Sequence, residues 1–148
     1  MRVAAPTPLI VFDLDGTLAD VEHRRHHIQK PNRRWDAFFA ACVDDAPVAA
    51  VILAFRAHEA AGHRIEVWSG RSDAVRAETE DWLTRHGLAP ARLLMRPARD
   101  STPDDQLKEG WLDEADPAPA LVYDDRNKVV AMWRRRGVPC FQVAPGDF

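Results

Sequence analysis

Residues Val11-Phe12-Asp13-Leu14-Asp15-Gly16-Thr17-Leu18 constrain this chain more than any other stretch. An apolar run, Leu9 to Phe12, ends in two carboxylates one residue apart, and a glycine and a threonine follow. Alternate residues of a strand share a face, so Asp13 and Asp15 are expected near one another at its C-terminal end. Gly16 offers a way out of the strand that residues with a Cβ resist. Two carboxylates crowded at the mouth of an apolar strand repel each other, and a cation between them or a proton on one relieves that cost. Asp and Gly also punctuate ordinary strand ends, so the octet signals chemistry only if partner residues follow downstream.

The rest of the chain alternates strands with helices. Residues 9–15 read as the first strand. Trp35, Phe38, Phe39 and Cys42 recur at helical spacing over 35–43, and Val48, Val51, Ile52 and Phe55 form a second helical stripe between Pro47 and Gly62. Further strands are expected at 64–68, 93–95, 120–123 and 139–143. Helices are expected from Ser72 to Gly87, from Pro103 through Lys108 to Leu112, and from Lys128 to Arg136. The alternation predicts a single three-layer α/β/α, Rossmann-like domain over residues 1–148, with a parallel sheet covered on both faces. Ligands of such sheets sit beyond the carboxyl ends of the strands. Those ends carry Asp13 and Asp15, then Ser69, then Asp124 and Asp125. Residues 19–46 are too few to fold alone and read as a minimal helical cap insert over the strand ends.

Charge is unevenly spread. The net charge of the 148 residues is -3, which argues against bulk electrostatic binding of long nucleic acid. Residues 22–34 hold five basic groups against one acid, about +4, and leave about -7 for the remainder. This run follows directly on the first strand and is read as contacting an anionic substrate. His23, His26 and His27 are interleaved with arginines that repel a cation, so they are read as solvated or substrate-facing rather than metal-binding. Trp35, Phe38 and Phe39 have the chemistry to stack on bases, but their helical spacing favours packing in the core. Trp82 and Trp133 belong to core faces, and Arg134-Arg135-Arg136 end a helix where positive charge is favourable. Cys42 and Cys140 read as buried free thiols. With no apolar run of membrane-spanning length and no secretion signal at the N-terminus, the expected compartment is the cytoplasm.

Four motifs then stand in order: Asp13-Leu14-Asp15-Gly16-Thr17, Ser69 followed by Gly70, Lys108 near a helix start, and Asp124-Asp125 after an apolar strand. Together they resemble the haloacid dehalogenase-like phosphohydrolases. The tail from Asp124 to Phe148, with Ser69-Gly70-Arg71 and Thr102-Pro103-Asp104, is similar to the 3′-phosphatase domain of bacteriophage polynucleotide kinase-phosphatases. The resemblance implies an Mg²⁺-dependent phosphatase in which Asp13 becomes phosphorylated and Asp15 serves as acid and then base. It implies that Ser69 and Lys108 bind the phosphate, with Gly70 lining the substrate beside Ser69. Asp13, the backbone carbonyl of Asp15, Asp124 and Asp125 are the implied metal ligands. Arg24 and Arg71 are implied to support phosphate handling, and Asp104 to hold Lys108 or an arginine in place. Implied substrates are 3′-phosphorylated nucleic acid ends or nucleotides; a 5′(3′)-nucleotidase or sugar phosphatase is the alternative. A non-catalytic module is disfavoured, because Asp13, Asp15, Lys108, Asp124 and Asp125 are all present. Bifunctional members carry a Gly-x-x-x-x-Gly-Lys-Ser/Thr kinase loop, which this sequence lacks. A chain without a kinase domain is therefore expected, with a separate kinase as a candidate partner.

Overall fold

In chain order the strands are β1 (Leu9–Phe12), β2 (Ala19–Asp20), β3 (Ala46–Pro47), β4 (Arg64–Ser72), β5 (Arg92–Arg96), β6 (Leu121–Asp124) and β7 (Cys140–Gln142). The helices are α1 (Trp35–Ala40), α2 (Ala49–Ala60), α3 (Arg76–Arg85), α4 (Asp104–Glu114) and α5 (Asn127–Arg135). The computed structural model describes residues 2–148. β1 is buried along its whole length, as a continuous apolar run inside a covered parallel sheet must be. It pairs in parallel with β4 on one side and β6 on the other, and the five-stranded sheet runs β5-β4-β1-β6-β7. Connections step outward from β1 in both directions, so the switch point lies there and a crevice opens at its carboxyl end. This is the α/β/α architecture that the sequence pattern predicts.

The period of two along the strands decides what each face carries. Ile10 and Phe12 of β1 pack with Ile65 and Val67 of β4 against Val51 and Phe55 of α2 and Trp82 and Leu83 of α3. Leu9 and Val11 pack with Trp68 and Val122 against Leu112 of α4 and Val129, Val130 and Trp133 of α5. Asp13 continues the parity of Leu9 and Val11, and Asp124 that of Val122. Both carboxylates are therefore delivered to the α4/α5 side of the sheet, where Lys108 waits on α4.

Three departures from the expected extents bear on the site. β1 stops at Phe12, although Asp13 N–H still donates to the Tyr123 carbonyl at 2.9 Å. The helix expected over 35–43 divides into α1 and a 3₁₀ turn at Ala41–Asp44. Arg24 Nη1 donates at 3.1 Å to the Phe38 carbonyl, the group a continuing α-helix offers to Cys42. β4 runs on to Ser72, but its ladder with β5 jumps from Ser69–Met95 to Ser72–Arg96. Gly70 and Arg71 bulge out of the pairing, which re-aims both beside the strand ends.

Residues between β1 and α2 leave and return through the antiparallel pair of β2 with β3, Ala19 opposite Pro47 and Asp20 opposite Ala46. Between them lie a 3₁₀ helix, Glu22–Ile28, and α1. Both cysteines are free and buried. No described helix is long and apolar enough to cross a membrane.

Candidate active site

Two charge clusters occupy the crevice, and Asp13 and Asp15 fall on different sides of it. In the first, Lys108 Nζ lies 2.7 Å from Asp13 Oδ1 and 3.0 Å from Asp124 Oδ2. Thr17 Oγ1 donates to the other oxygen of Asp13 at 3.1 Å. Trp133 Nε1 donates to Asp124 Oδ2 at 3.3 Å, and Asp125 N–H donates to Asp124 Oδ1 at 2.9 Å. Carboxylate oxygens of Asp13, Asp124 and Asp125 lie within 4.8 Å of one another. Lys108 is only 2 % exposed, and all three carboxylates are buried with it.

Burial on this scale must be compensated. Burial pushes the Asp13 carboxyl well above the usual carboxylate range; Asp124 adds to the rise and Lys108 opposes it. Asp125 is pushed up to about 6 by burial and by Asp124. Burial works against the charge of Lys108, but Asp124 and Asp13 outweigh it and raise the ammonium above its ordinary value. Three carboxylates around one ammonium leave two negative charges in excess when all are ionised. Gly16 makes this crowding feasible. It has φ +82°, and a Cβ there would collide with the Asp125 carboxylate. A buried, oxygen-only donor set with this charge fits a small hard dication such as Mg²⁺.

The second cluster surrounds Asp15. Arg24 Nη2 donates to Asp15 Oδ1 at 2.8 Å, and Arg71 Nη2 donates to the same oxygen. Both guanidiniums also reach Asp45: Arg24 at 2.7 and 2.8 Å, Arg71 at 3.2 Å. His23 Nε2 sits 2.7 Å from Asp45, and Trp82 Nε1 donates to the Asp45 carbonyl at 2.9 Å. Arg71 Nη1 donates to Thr79 Oγ1 at 3.0 Å. Two buried arginines and two carboxylates thus balance. Burial raises the Asp15 carboxyl, but Arg71 and Arg24 outweigh it and hold the group below its ordinary value. The sequence predicts Asp13 and Asp15 near one another, their repulsion relieved by a cation between them or a proton on one. In the structure each carboxylate has its own cations: Asp13 keeps the parity of β1 and meets Lys108, and the turn through Leu14–Gly16 sends Asp15 to the arginines.

The remaining predicted residues line the edge between these clusters. Ser69 is buried and its Oγ accepts from Arg71 N–H at 3.1 Å, which leaves the hydroxyl proton unassigned. Asp104 does not hydrogen-bond Lys108; it accepts from Arg96 and, at 3.0 Å, from Arg126. Gly70 lies against the Asp104 carboxylate, where a Cβ would collide, and its carbonyl accepts from Arg96 Nε at 2.9 Å. Phe148 stands at this rim, its ring under the guanidiniums of Arg25 and Arg126 at 4.9 and 5.5 Å.

Asp45, Thr17, Arg96 and Arg126 escape sequence reasoning as site residues. Nothing in spacing separates Asp45 from Asp44; only the burial of Arg24 and Arg71 makes a carboxylate there necessary. Trp133 is a core residue as predicted, and it also carries a polar handle into the site.

Comparison with known proteins agrees with this geometry. Residues 7–148 match the family described as the polynucleotide kinase PNKP phosphatase domain. A chain of the Pnkp1/Rnl/Hen1 RNA repair complex superposes with TM-score 0.82 at 31 % identity, covering 96 % of this chain and 44 % of that one. A second structure of that complex gives TM-score 0.82 and 32 % identity over 98 % of this chain and 49 % of the other. This chain thus spans less than half the length of those relatives. The class C acid phosphatase from Bacillus anthracis, with tungstate bound, shares the fold at TM-score 0.64 and 19 % identity, over 84 % of this chain and 54 % of that one. The chain belongs to the PNKP phosphatase-domain family of haloacid dehalogenase-like phosphohydrolases and is a phosphomonoester hydrolase.

Proposed function

We propose that this chain removes the 3′-phosphate from polynucleotide ends or nucleotides, with Mg²⁺, through a phosphorylated Asp13. The observation that carries the chemistry is the placement of Asp13 at the carboxyl edge of β1, hydrogen-bonded to a buried ammonium at 2.7 Å. Asp13 attacks phosphorus and the ester oxygen leaves with a proton from Asp15; Asp15 then takes a proton from the water that releases phosphate. Lys108 neutralises the incoming phosphate and lowers its repulsion from Asp13. Ser69 donates its hydroxyl proton to a phosphate oxygen. Arg71 Nε, buried and without a partner among the described residues, is a further donor for that anion. Asp15 as it stands is an ionised base; it gains a proton only when its arginines shift part of their charge toward the phosphate. Asp13, Asp124, Asp125 and the Asp15 carbonyl are the groups to hold Mg²⁺, which when bound supplies charge stabilisation to the phosphoryl oxygens.

The substrate class rests on the family match and on the 31–32 % identical chains, which belong to an RNA repair complex. Steady-state rates on 3′-phosphorylated oligonucleotides against free 3′- and 5′-mononucleotides test it. The 3′-phosphorylated substrates are expected to show the higher kcat/KM. Equal or better efficiency on 5′-mononucleotides overturns the end-healing reading in favour of a nucleotidase.

Metal binding is expected to depend on pH. Ligand carboxylates must be deprotonated; burial raises Asp13 and pushes Asp125 up to about 6, so protons compete for the Asp125 carboxylate close to neutrality. Titration calorimetry should show Mg²⁺ affinity falling steadily from pH 7.5 to 5.5. A flat profile over that range contradicts these ligands.

A further inference from the structure

Helical spacing places Trp35, Phe38 and Phe39 together in the core, but the structure divides them. Phe38 is buried, with the Arg24 guanidinium 4.2 Å from its ring centroid. Trp35 is 44 % exposed. Its indole is nevertheless held in place, stacked near Phe39 at 5.9 Å and edge-on to Phe38 at 5.8 Å. Beside it lie three cations clustered within five residues, Lys30, Arg33 and Arg34. All three are exposed, and among the described residues none of them pairs with a carboxylate. Arg33, Arg34 and Trp35, with Asp36 and Ala37, line a shallow, open depression on the surface.

This corner is joined to the reaction centre by one element. Arg34 N–H donates to the His27 carbonyl at 2.5 Å, which ties the corner to the end of the 3₁₀ helix Glu22–Ile28. The rings of His26 and His27 meet there at 4.0 Å, tilted by 40°. Near the start of the same helix His23 meets Asp45, and Arg24 meets Asp15 at 2.8 Å. Seven residues of 3₁₀ helix span about 14 Å, room for a few nucleotides.

We propose that Lys30, Arg33, Arg34 and Trp35 form a subsite for the unpaired strand that leads to the phosphorylated end. The free cations take backbone phosphates, and the indole stacks on one splayed base. An unpaired strand is required, because only an unstacked base offers its face to a side chain. The subsite rests on the 3′-end reading above and deepens it, since it makes a polymer the preferred substrate over a mononucleotide.

The test compares 3′-phosphorylated single strands of one, two, four and eight nucleotides. In the wild type, kcat/KM is expected to rise with length. In Trp35→Ala, and separately in the Arg33→Ala/Arg34→Ala variant, the gain between one and eight nucleotides should shrink about tenfold, through KM rather than kcat. Trp35→Phe should retain most of the gain. Anisotropy with an unphosphorylated octanucleotide, in the absence of metal, should show weaker binding in both Ala variants and a shallower salt dependence in the double-arginine variant. No turnover of any 3′-phosphorylated length overturns the function reading and this subsite with it. Turnover with a flat length dependence, or Trp35→Ala matching the wild type at eight nucleotides, overturns the subsite alone.

Discussion

Asp13→Asn is expected to lower kcat by about 10⁴-fold or more, the scale on which a lost nucleophile is felt, while leaving the metal-free protein at least as stable as the wild type. The two outcomes have one cause. Burial, followed by the neighbouring Asp124, pushes the Asp13 carboxyl well above the ordinary 3.8. A carboxyl raised in the folded state binds its proton more tightly there than in the unfolded chain. Stability is therefore lost as pH rises from the unfolded value toward the folded one, and at neutral pH the raised carboxyl costs folding free energy. Asn removes the charge at nearly constant volume, and Lys108 keeps Asp124 at 3.0 Å. Thermal unfolding without metal at pH 7.5 should show a midpoint equal to or above that of the wild type, and steady-state assays should show the collapse in rate. Activity near wild type would place the chemistry elsewhere; a large fall in the midpoint would mean that Asp13 serves mainly to anchor Lys108.

Much of this site follows from period and order. Asp13 and Asp124 share a face because each extends the parity of an apolar strand, and Lys108 meets them because α4 covers that face. The arginine cluster is less legible. Arg71 points inward through a bulge that appears only in the register of β4 with β5, and a one-dimensional pattern of apolar residues does not encode a jump in register. Asp45 becomes necessary only once Arg24 and Arg71 are known to be buried, a tertiary fact. Carboxylates at 13 and 15 suggest neighbours relieved by a cation or a proton, yet the turn at Gly16 gives them separate cationic partners, because backbone direction rather than spacing decides where a side chain goes after a strand ends. Trp35 stays on the same helical face as Phe38 and Phe39, but it is the first residue of α1, at the end of the stripe, and is 44 % exposed where Phe38 is buried.

Lys108→Met is expected to cost the most stability of any single change in the crevice. Methionine keeps the length and the apolar stem but removes the ammonium that stands between Asp13 and Asp124. Breaking a buried ion pair by deleting one partner costs about 3–5 kcal/mol, since the remaining charges stay buried without compensation. The raised value of Lys108 fixes the sign: stabilisation from a basic group raised in the fold is fully present below its unfolded value, here 10.5, and is lost only as pH climbs through the folded one. All of it is therefore at stake at neutral pH. The loss should shrink in acid, because Asp13 and Asp125, both raised, take up protons and relieve the repulsion that Lys108 otherwise offsets. The gap between wild-type and variant midpoints should accordingly widen from pH 5 to pH 8. Millimolar Mg²⁺ should stabilise the variant more than the wild type, because a cation that binds only the folded state contributes in proportion to its affinity, and the variant offers it one more uncompensated charge. Catalysis should not recover with stability: kcat/KM is expected to stay about 10²–10³-fold down, the scale for losing one preorganised electrostatic partner of the reacting group. An equal stability loss at both pH values, with no extra benefit from Mg²⁺, would show that Lys108 is not the counter-charge on which the buried carboxylates depend.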